Sequence, residues 1–378
     1  MKTILSFLLF STLSLTVRPL NGQTFFKFTG NIKNYSEPVI SLTVYRNWVE
    51  NPIELELKVD KKGSFYAEIA LDEIAYCDIN IGDLGYFLWK IEPNDNIILT
   101  ADFQNFENTI KFAGIGSDKW TYLIEQKKKF EEEKDWDYEL EKLKKISRKG
   151  FFDLTKYLYD EQINLLNKYK SKLSEDFYSL QRADIYGKYS YNELSFLNFH
   201  KIFNEAEFAR FDLKTFQAKT QNKSYEYGHF VDALIENHNK IGQKYSQSIM
   251  LEYESIKGYF SEKDLIDKQL IERILATKIL NYLDNFGASE ETKLLVASFK
   301  EFSKNKIYSA VLMEKLNKLQ NLQNGKEAKS FILPDEKGNL VSLKDFRGKN
   351  VVLGFYASWC GPCLEDFKYL TIVDNFFK

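Results

Sequence analysis

No proline occurs between Pro93 and Pro334, and this constrains the fold more than any other feature of the sequence. Proline interrupts helices, so its absence over so long a stretch permits a series of long helices. Apolar residues in this stretch recur at spacings of three and four, which is typical of helices that bury one face. One such stripe is Ile271, Ile274 and Leu275. We therefore predict a central all-α domain over residues 116–327.

Local signals support this helical prediction. Leu154, Tyr157 and Leu158 form another stripe at helical spacing, while Gly287 and Ser289 mark the end of one helix and the start of the next. The charged segment from Gln126 to Lys145 mixes both signs and is typical of a solvated helix rather than a nucleic-acid site.

The region before the helices has a different period. Ile53, Leu55, Leu57 and Val59 alternate with charged residues, and a turn-forming sequence, Asp60 to Gly63, leads into a second alternating run. The alternation predicts two half-buried strands joined as a hairpin. Further strands are predicted at Ile40 to Val44, Tyr86 to Ile91 and Ile97 to Ala101. Residues 23–115 are therefore predicted to form an all-β, sandwich-like domain of antiparallel strands.

Charge and aromatic content limit the classes of partner. The chain has 52 Lys and Arg against 54 Asp and Glu, a formal net charge of -2, so no overall field favours nucleic acid or an anionic membrane. Aromatic residues make up 16% of the chain. We attribute those in the helices to core packing, with a peptide-binding groove as the alternative.

The N-terminus has the pattern of a secretory signal peptide. Lys2 precedes an apolar run from Ile4 to Val17, and small or polar residues follow as far as Gly22. The run is shorter than the roughly 18 residues of a spanning helix. We predict a signal peptide at residues 1–22 and an exported, soluble mature protein, with an uncleaved N-terminal membrane anchor as the alternative.

Export changes the meaning of the three cysteines, because disulfides are stable outside the cytoplasm. Cys360 and Cys363 are three residues apart and form a redox-type pair, whereas Cys77 stands alone in strand-like sequence. We expect Cys77 to be a buried apolar residue. Two other roles for the pair are a structural disulfide and half of a zinc site. Zinc would need further ligands, and the only histidines lie in the helical region: His200, His229 and His238.

The sequence around the pair assigns a role to each cysteine. The apolar segment from Val351 to Tyr356 predicts a buried strand, and a helix begins at or near Cys360. Backbone N–H groups and the helix dipole at that end favour a thiolate and lower the pKa of a thiol. Cys360 is therefore the expected nucleophile, and Cys363, one turn later, the resolving cysteine.

Three neighbours are expected to support the pair. Pro362 fits the first turn of a helix because it has no N–H to lose there. Gly361 allows a partner backbone to approach closely. Trp359 is expected to shield one side of the disulfide.

The segment from Ala328 to Cys363 resembles the start of a thioredoxin-like domain, specifically the exported thiol-disulfide oxidoreductases of the TlpA and ResA type. The shared motifs are F-x-L-x-D-x-x-G, S-L-x-D-F-x-G-K and W-C-x-P-C. They are carried by Phe331, Leu333, Asp335, Gly338, Ser342, Leu343, Asp345, Phe346, Gly348, Lys349, Trp359, Cys360, Pro362 and Cys363. The preceding β and helical regions resemble, by architecture, the N-terminal extension of TlpA-like proteins in some Gram-negative bacteria.

This resemblance implies a partial α/β thioredoxin-like fold at residues 328–378, following the all-β and all-α domains. It also implies a periplasmic location, protein disulfides as substrates and reduction by a membrane electron donor of the DsbD or CcdA type. No organic cofactor or metal is implied, only the redox-active disulfide Cys360–Cys363.

Three departures from the family pattern affect the expected activity. Gly354 replaces a buried acid that assists the resolving cysteine, and Lys368 replaces a helix-kinking proline. The sequence ends at Lys378, directly after the predicted first helix, so we expect less than half of a thioredoxin-like domain and little catalytic turnover from this chain.

Two alternatives remain beside the oxidoreductase. A peroxidase of the peroxiredoxin kind is the enzymatic one, although its reactive cysteine normally stands alone in a different motif. The other is a non-catalytic periplasmic binding or interaction protein with a vestigial thioredoxin segment.

Overall fold

The computed structural model describes residues 24–130, 145–202, 204–241, 249–262, 266–323, 325–354, 357, 360–363, 365, 366 and 369. Chain contacts divide the protein into two compact units between Gln320 and Asn321. The predicted signal peptide and residues 131–144 of the charged segment lie outside the described residues. No helix within those described ranges has the length and apolar character needed to cross a membrane.

The first unit begins with eight strands in two sheets. The strands are β1 (Phe25–Lys33), β2 (Val39–Tyr45), β3 (Ile53–Lys58), β4 (Ser64–Ala70), β5 (Ala75–Ile81), β6 (Leu84–Ile91), β7 (Asn96–Asp102) and β8 (Lys111–Ala113). One sheet has the order β4-β1-β7-β8 and the other β3-β2-β5-β6. The sheet-rich prediction is confirmed, but the sheets are not wholly antiparallel, because β1 pairs with β7 in parallel.

The predicted hairpin of β3 and β4 is wrong, although both strands and the turn between them are present. The turn closes through hydrogen bonds from Gly63 N–H to the Asp60 carbonyl and from Asp60 N–H to the Ser64 carbonyl. The strands then separate, because β3 pairs with β2 while β4 pairs with β1 in the other sheet. Alternation places an apolar face on each strand, but the choice of partner depends on the common core.

Besides the 3-10 helices Phe103–Asn105 and Lys170–Lys172, eleven α-helices are described in the first unit. They are α1 (Phe106–Thr109), α2 (Ser117–Phe130), α3 (Arg148–Tyr169), α4 (Glu175–Phe199), α5 (Glu205–Phe208), α6 (Ala218–Lys223), α7 (Tyr225–Ile241), α8 (Ile249–Glu262), α9 (Lys268–Phe286), α10 (Glu290–Phe302) and α11 (Lys306–Gln320). The predicted central helical region is thus present.

Two hydrophobic cores hold this unit together. The first contains residues of both sheets and of α2, α3 and α4, with Trp120 among its fully buried members. The second joins α4 to the helices from α7 to α11. Helix α4 contributes to both, with Leu180 and Ile185 in the first core and Ala183 and Leu194 in the second.

The local helix signals have mixed outcomes. The stripe beginning at Ile271 is buried as predicted. Helix α9 ends at Gly287, whose φ of 63° is in the left-handed region, and the Ser289 side chain caps α10. Leu154, Tyr157 and Leu158 lie on helix α3, which confirms the helix they predict, and their side chains are exposed.

The second unit contains a short hairpin, β9 (Ile332–Pro334) and β10 (Leu340–Ser342), followed by a 3-10 helix, Leu343–Phe346. The strand predicted from Val351 is not formed over residues 351–354, and those residues are exposed. Residues 355 and 356 lie outside the described part of the chain. A strand needs a hydrogen-bonded neighbour, and β9 and β10 pair only with each other.

Candidate functional site

The second unit is organised around the side chain of Asp335. Its carboxylate accepts hydrogen bonds from the backbone N–H groups of Lys337 and Asn339, at 2.9 and 2.7 Å, and from the Asn339 side chain at 3.1 Å. The Asn339 side-chain bond and then these backbone bonds hold the pKa of Asp335 below its ordinary value. Gly338 has a φ of 83°, which favours glycine. The D-x-x-G motif is therefore a turn-forming motif between β9 and β10.

The following motif caps the 3-10 helix. The Ser342 hydroxyl accepts from Lys344 N–H at 3.2 Å, and the Asp345 carboxylate accepts from Ser342 N–H at 2.8 Å. This is a reciprocal capping box. Gly348, with a φ of 84°, turns the chain after the helix. The S-x-x-D spacing was visible in the sequence and could have predicted these structural roles.

The structure joins Cys360 and Cys363 in a disulfide with Cα atoms 5.3 Å apart. Helical residues 361–363, 365 and 366 follow Cys360, as the sequence predicts. The N–H of Cys360 donates to the Ala357 carbonyl at 3.0 Å. The N–H of Cys363 donates to the sulfur of Cys360 at 3.3 Å, so Cys360 occupies the position of an N-cap residue and its sulfur accepts the bond a capping oxygen usually accepts.

The pair is accessible from solvent. Both cysteines are partly buried, while Gly361 and Pro362 between them are exposed. A partner could therefore approach over this turn. Trp359, predicted to shield the disulfide, lies outside the described residues.

Cys77 lies in a different environment. It is fully buried on β5, opposite Val44 and Trp89, which confirms the prediction of a buried residue. Burial raises the pKa of its thiol well above the ordinary value. A neutral, inaccessible thiol does not suit nucleophilic chemistry.

The described residues contain no group of three or more His, Cys, Asp or Glu arranged to hold a metal ion. His200 follows the end of α4, and His229 is exposed on α7. The candidate site therefore consists of the disulfide between Cys360 and Cys363.

A second feature was not predicted from the sequence. A cavity of about 420 Å³ lies within the first unit, where β6 meets α2, α3 and α4. No short motif encodes it, because its lining residues come from distant parts of the chain.

Comparison with known proteins places the similarity at the C-terminus. The family model described as Redoxin matches residues 323–378. The thiol-disulfide oxidoreductase ResA of Bacillus subtilis (strain 168) is 36% identical over 72 residues, which cover 19% of this chain and 38% of the relative. ResA of Bacillus cereus (strain ATCC 10987 / NRS 248) is 41% identical over 54 residues, covering 14% of this chain and 31% of the relative.

The chain spans about a third of the length of these curated relatives. No solved structure has a significant match. The family model thus covers the segment that carries the disulfide.

Proposed function

We propose, from the redoxin-like and ResA-like character of the C-terminal segment, that the chain is an exported thiol-disulfide oxidoreductase acting on protein disulfides. The observation that carries the proposal is the hydrogen bond from Cys363 N–H to the Cys360 sulfur in the disulfide-bonded pair. The same N–H would stabilise the Cys360 thiolate once the disulfide is reduced.

In the proposed reaction, the Cys360 thiolate attacks one sulfur of a substrate disulfide. A mixed disulfide forms and the other substrate sulfur leaves as a thiolate. Cys363, one helical turn away, then attacks the Cys360 sulfur and releases the second substrate thiolate. The substrate gains two electrons and the Cys360–Cys363 disulfide is formed, which is the state in the structure.

The remaining parts of the proposal follow from the sequence. The N-terminal pattern supports export to the periplasm, with a membrane-anchored form as the alternative. Reduced Cys360 and Cys363 would be regenerated by a membrane donor of the DsbD or CcdA type. Gly361 and Pro362, both exposed, would contact the substrate backbone.

A second candidate function is ligand binding by the first unit, without catalysis. The cavity beside β6 favours it, because its lining combines aromatic and polar side chains.

The oxidoreductase proposal can be tested by trapping its intermediate. Cys363→Ser should form a covalent adduct with insulin, a disulfide-bonded protein, because Cys360 can attack but no thiol resolves the product. The adduct should run as a higher band on a non-reducing gel and be released by dithiothreitol.

Two variants serve as controls. Cys360→Ser/Cys363→Ser should form no adduct, and adding Cys77→Ala to Cys363→Ser should leave trapping unchanged. The proposal is wrong if Cys363→Ser forms no adduct, or if Cys360→Ser traps insulin through Cys363 equally well.

A further inference from the structure

The cavity beside β6 has the size of a small-ligand site. Its volume of about 420 Å³ lies within the range of roughly 300–1,000 Å³ typical of such sites. Its lining comes from β6, from α2, α3 and α4, and from Glu226 on α7, all within the first compact unit. None of its lining residues belongs to the unit that carries the disulfide.

A buried ion pair forms part of the wall. The ammonium of Lys90 lies 2.8 Å from the carboxylate of Asp184, and both side chains are less than one-tenth exposed. Asp184 also accepts hydrogen bonds from Tyr76 and Ser224. These contacts hold the Asp184 side chain in place in the protein without a bound ligand.

Aromatic and amide side chains make up much of the remaining surface. Phe87, which is 63% exposed, and Tyr159 line the cavity from β6 and α3. Three lining glutamines form a row of side-chain hydrogen bonds. The Gln181 amide donates to Gln126 at 3.0 Å, and the Gln126 amide donates to Gln162 at 3.0 Å. Aromatic faces and ordered amides together can bind a ring that carries polar groups.

The charges of the lining favour an anion. Three lysines, Lys90, Lys127 and Lys188, line the cavity together with two carboxylates, Asp184 and Glu226. Asp184 is already paired with Lys90. Lys127 lies over the Tyr86 ring, 5.1 Å from its centroid, and Lys188 is exposed on α4. Beyond the Lys90–Asp184 pair, the lining thus carries two ammonium groups, Lys127 and Lys188, against the one carboxylate of Glu226, an excess of positive charge that an anion can offset.

The backbone is unusual at the same place. Leu88, which lines the cavity, has a φ of 56°, a conformation that costs energy for a large side chain. The register of β5 and β6 shifts here, and the Asp78 carboxylate accepts the Leu88 N–H at 2.8 Å. Bulges of this kind often redirect strands beside functional sites.

We propose that the cavity binds a small ring-bearing carboxylate. Its ring lies against the aromatic lining near Phe87 and Tyr159, its polar groups meet Gln126 and Gln162, and its carboxylate pairs with Lys127 and Lys188. The C-terminal aromatic residue of a peptide and an acidic monosaccharide share this chemistry.

Titration calorimetry on the full chain tests the proposal with two matched pairs of probes. N-acetyl-phenylalanine is compared with its amide, and glucuronate with glucose. At least one acid should bind saturably, and its neutral counterpart about tenfold more weakly, as expected for a hydrogen bond to a charged group. Binding of N-acetyl-phenylalanine would identify the ligand as the C-terminal end of a peptide, and binding of glucuronate would identify it as an acidic sugar.

Substitutions locate the site. Lys188→Gln and Lys127→Gln should each weaken binding of the acid about tenfold. Lys168→Gln, an exposed lysine on α3 outside the lining, should not change it. The proposal is overturned if neither acid binds, if acid and neutral probe bind equally, or if Lys188→Gln and Lys168→Gln have the same affinity.

Discussion

The carboxylate of Asp184 on α4 binds the hydroxyl of Tyr76 on β5 with both of its oxygens, at 2.8 and 2.7 Å. It also accepts a hydrogen bond from Ser224 at 2.6 Å and pairs with Lys90 at 2.8 Å. One buried carboxylate thus connects a sheet to the segment between α6 and α7. Desolvation raises the pKa of Tyr76, and the nearby Asp184 carboxylate raises it further.

Asp184→Asn should destabilise the protein by about 3–5 kcal/mol, because it leaves Lys90 buried without its counter-charge. Urea unfolding monitored by circular dichroism measures the change. Asp176→Asn, also on α4, is the matched control: Asp176 is 58% exposed and pairs with an exposed Lys219 at 3.3 Å. The control should lose less than about 1 kcal/mol. Equal losses in the two variants would contradict a structural role for the buried network.

Gly187→Ala should also be destabilising, by about 1–3 kcal/mol, because α4 and α7 are too close for a methyl group. A Cβ at Gly187 would lie 2.3 Å from the Tyr227 backbone nitrogen and 2.6 Å from the Glu226 carbonyl oxygen. Gly258→Ala on α8 is the control, since a Cβ there meets nothing within 4 Å. It should stabilise the protein by about 0.5–1 kcal/mol. If Gly187→Ala left the free energy of unfolding unchanged, α4 and α7 would be able to move apart to accommodate the methyl group.

Cys77 should not react with a maleimide in the native protein at pH 8, because burial keeps its thiol neutral. After reduction, Cys360 and Cys363 should be labelled readily, since both are partly exposed. Mass spectrometry of peptides after labelling, with and without urea, separates the three sites. Rapid native labelling of Cys77 would show that β5 opens to solvent.

The stability of the turn formed by Asp335 should decrease at acidic pH, when the Asp335 carboxylate becomes protonated. Hydrogen bonds from Asn339 lower the pKa of Asp335 below its ordinary value, so the folded turn favours the carboxylate. The stabilisation is present above the pKa of the unfolded chain, about 4, and is lost as pH falls through the lower, folded value.

Amide NMR shifts of Lys337 and Asn339 report this titration directly. The step should occur below the ordinary aspartate pKa of about 4 and be absent in Asp335→Asn. A midpoint above that pH would contradict the proposed turn.

Sequence patterns predicted the features that depend on neighbouring residues. Gly287 and Ser289 mark helix ends through their own backbone and side-chain bonds, so they could be identified directly. The same holds for Cys360 and Cys363, whose spacing of one helical turn brings their sulfurs together. These parts of the fold and site needed no knowledge of distant contacts.

Features that depend on distant partners were not predictable. Alternation in Ile53–Lys58 predicts a strand, but the core decides which sheet receives it. The spacing of Leu154 and Tyr157 predicts a helix, but not whether another element covers that face. The cavity beside Trp89 is assembled from one strand and four helices, so no local pattern indicates it.

The contribution of α4 to both cores limits where recombination can divide the gene without disrupting a core. Leu180 and Ala183, less than one turn apart, enter different cores. A recombination event between β8 and α2 would separate the strands from helices that complete their core. The β and helical regions would therefore be expected to pass between genes together, whereas the break between Gln320 and Asn321 leaves both cores intact.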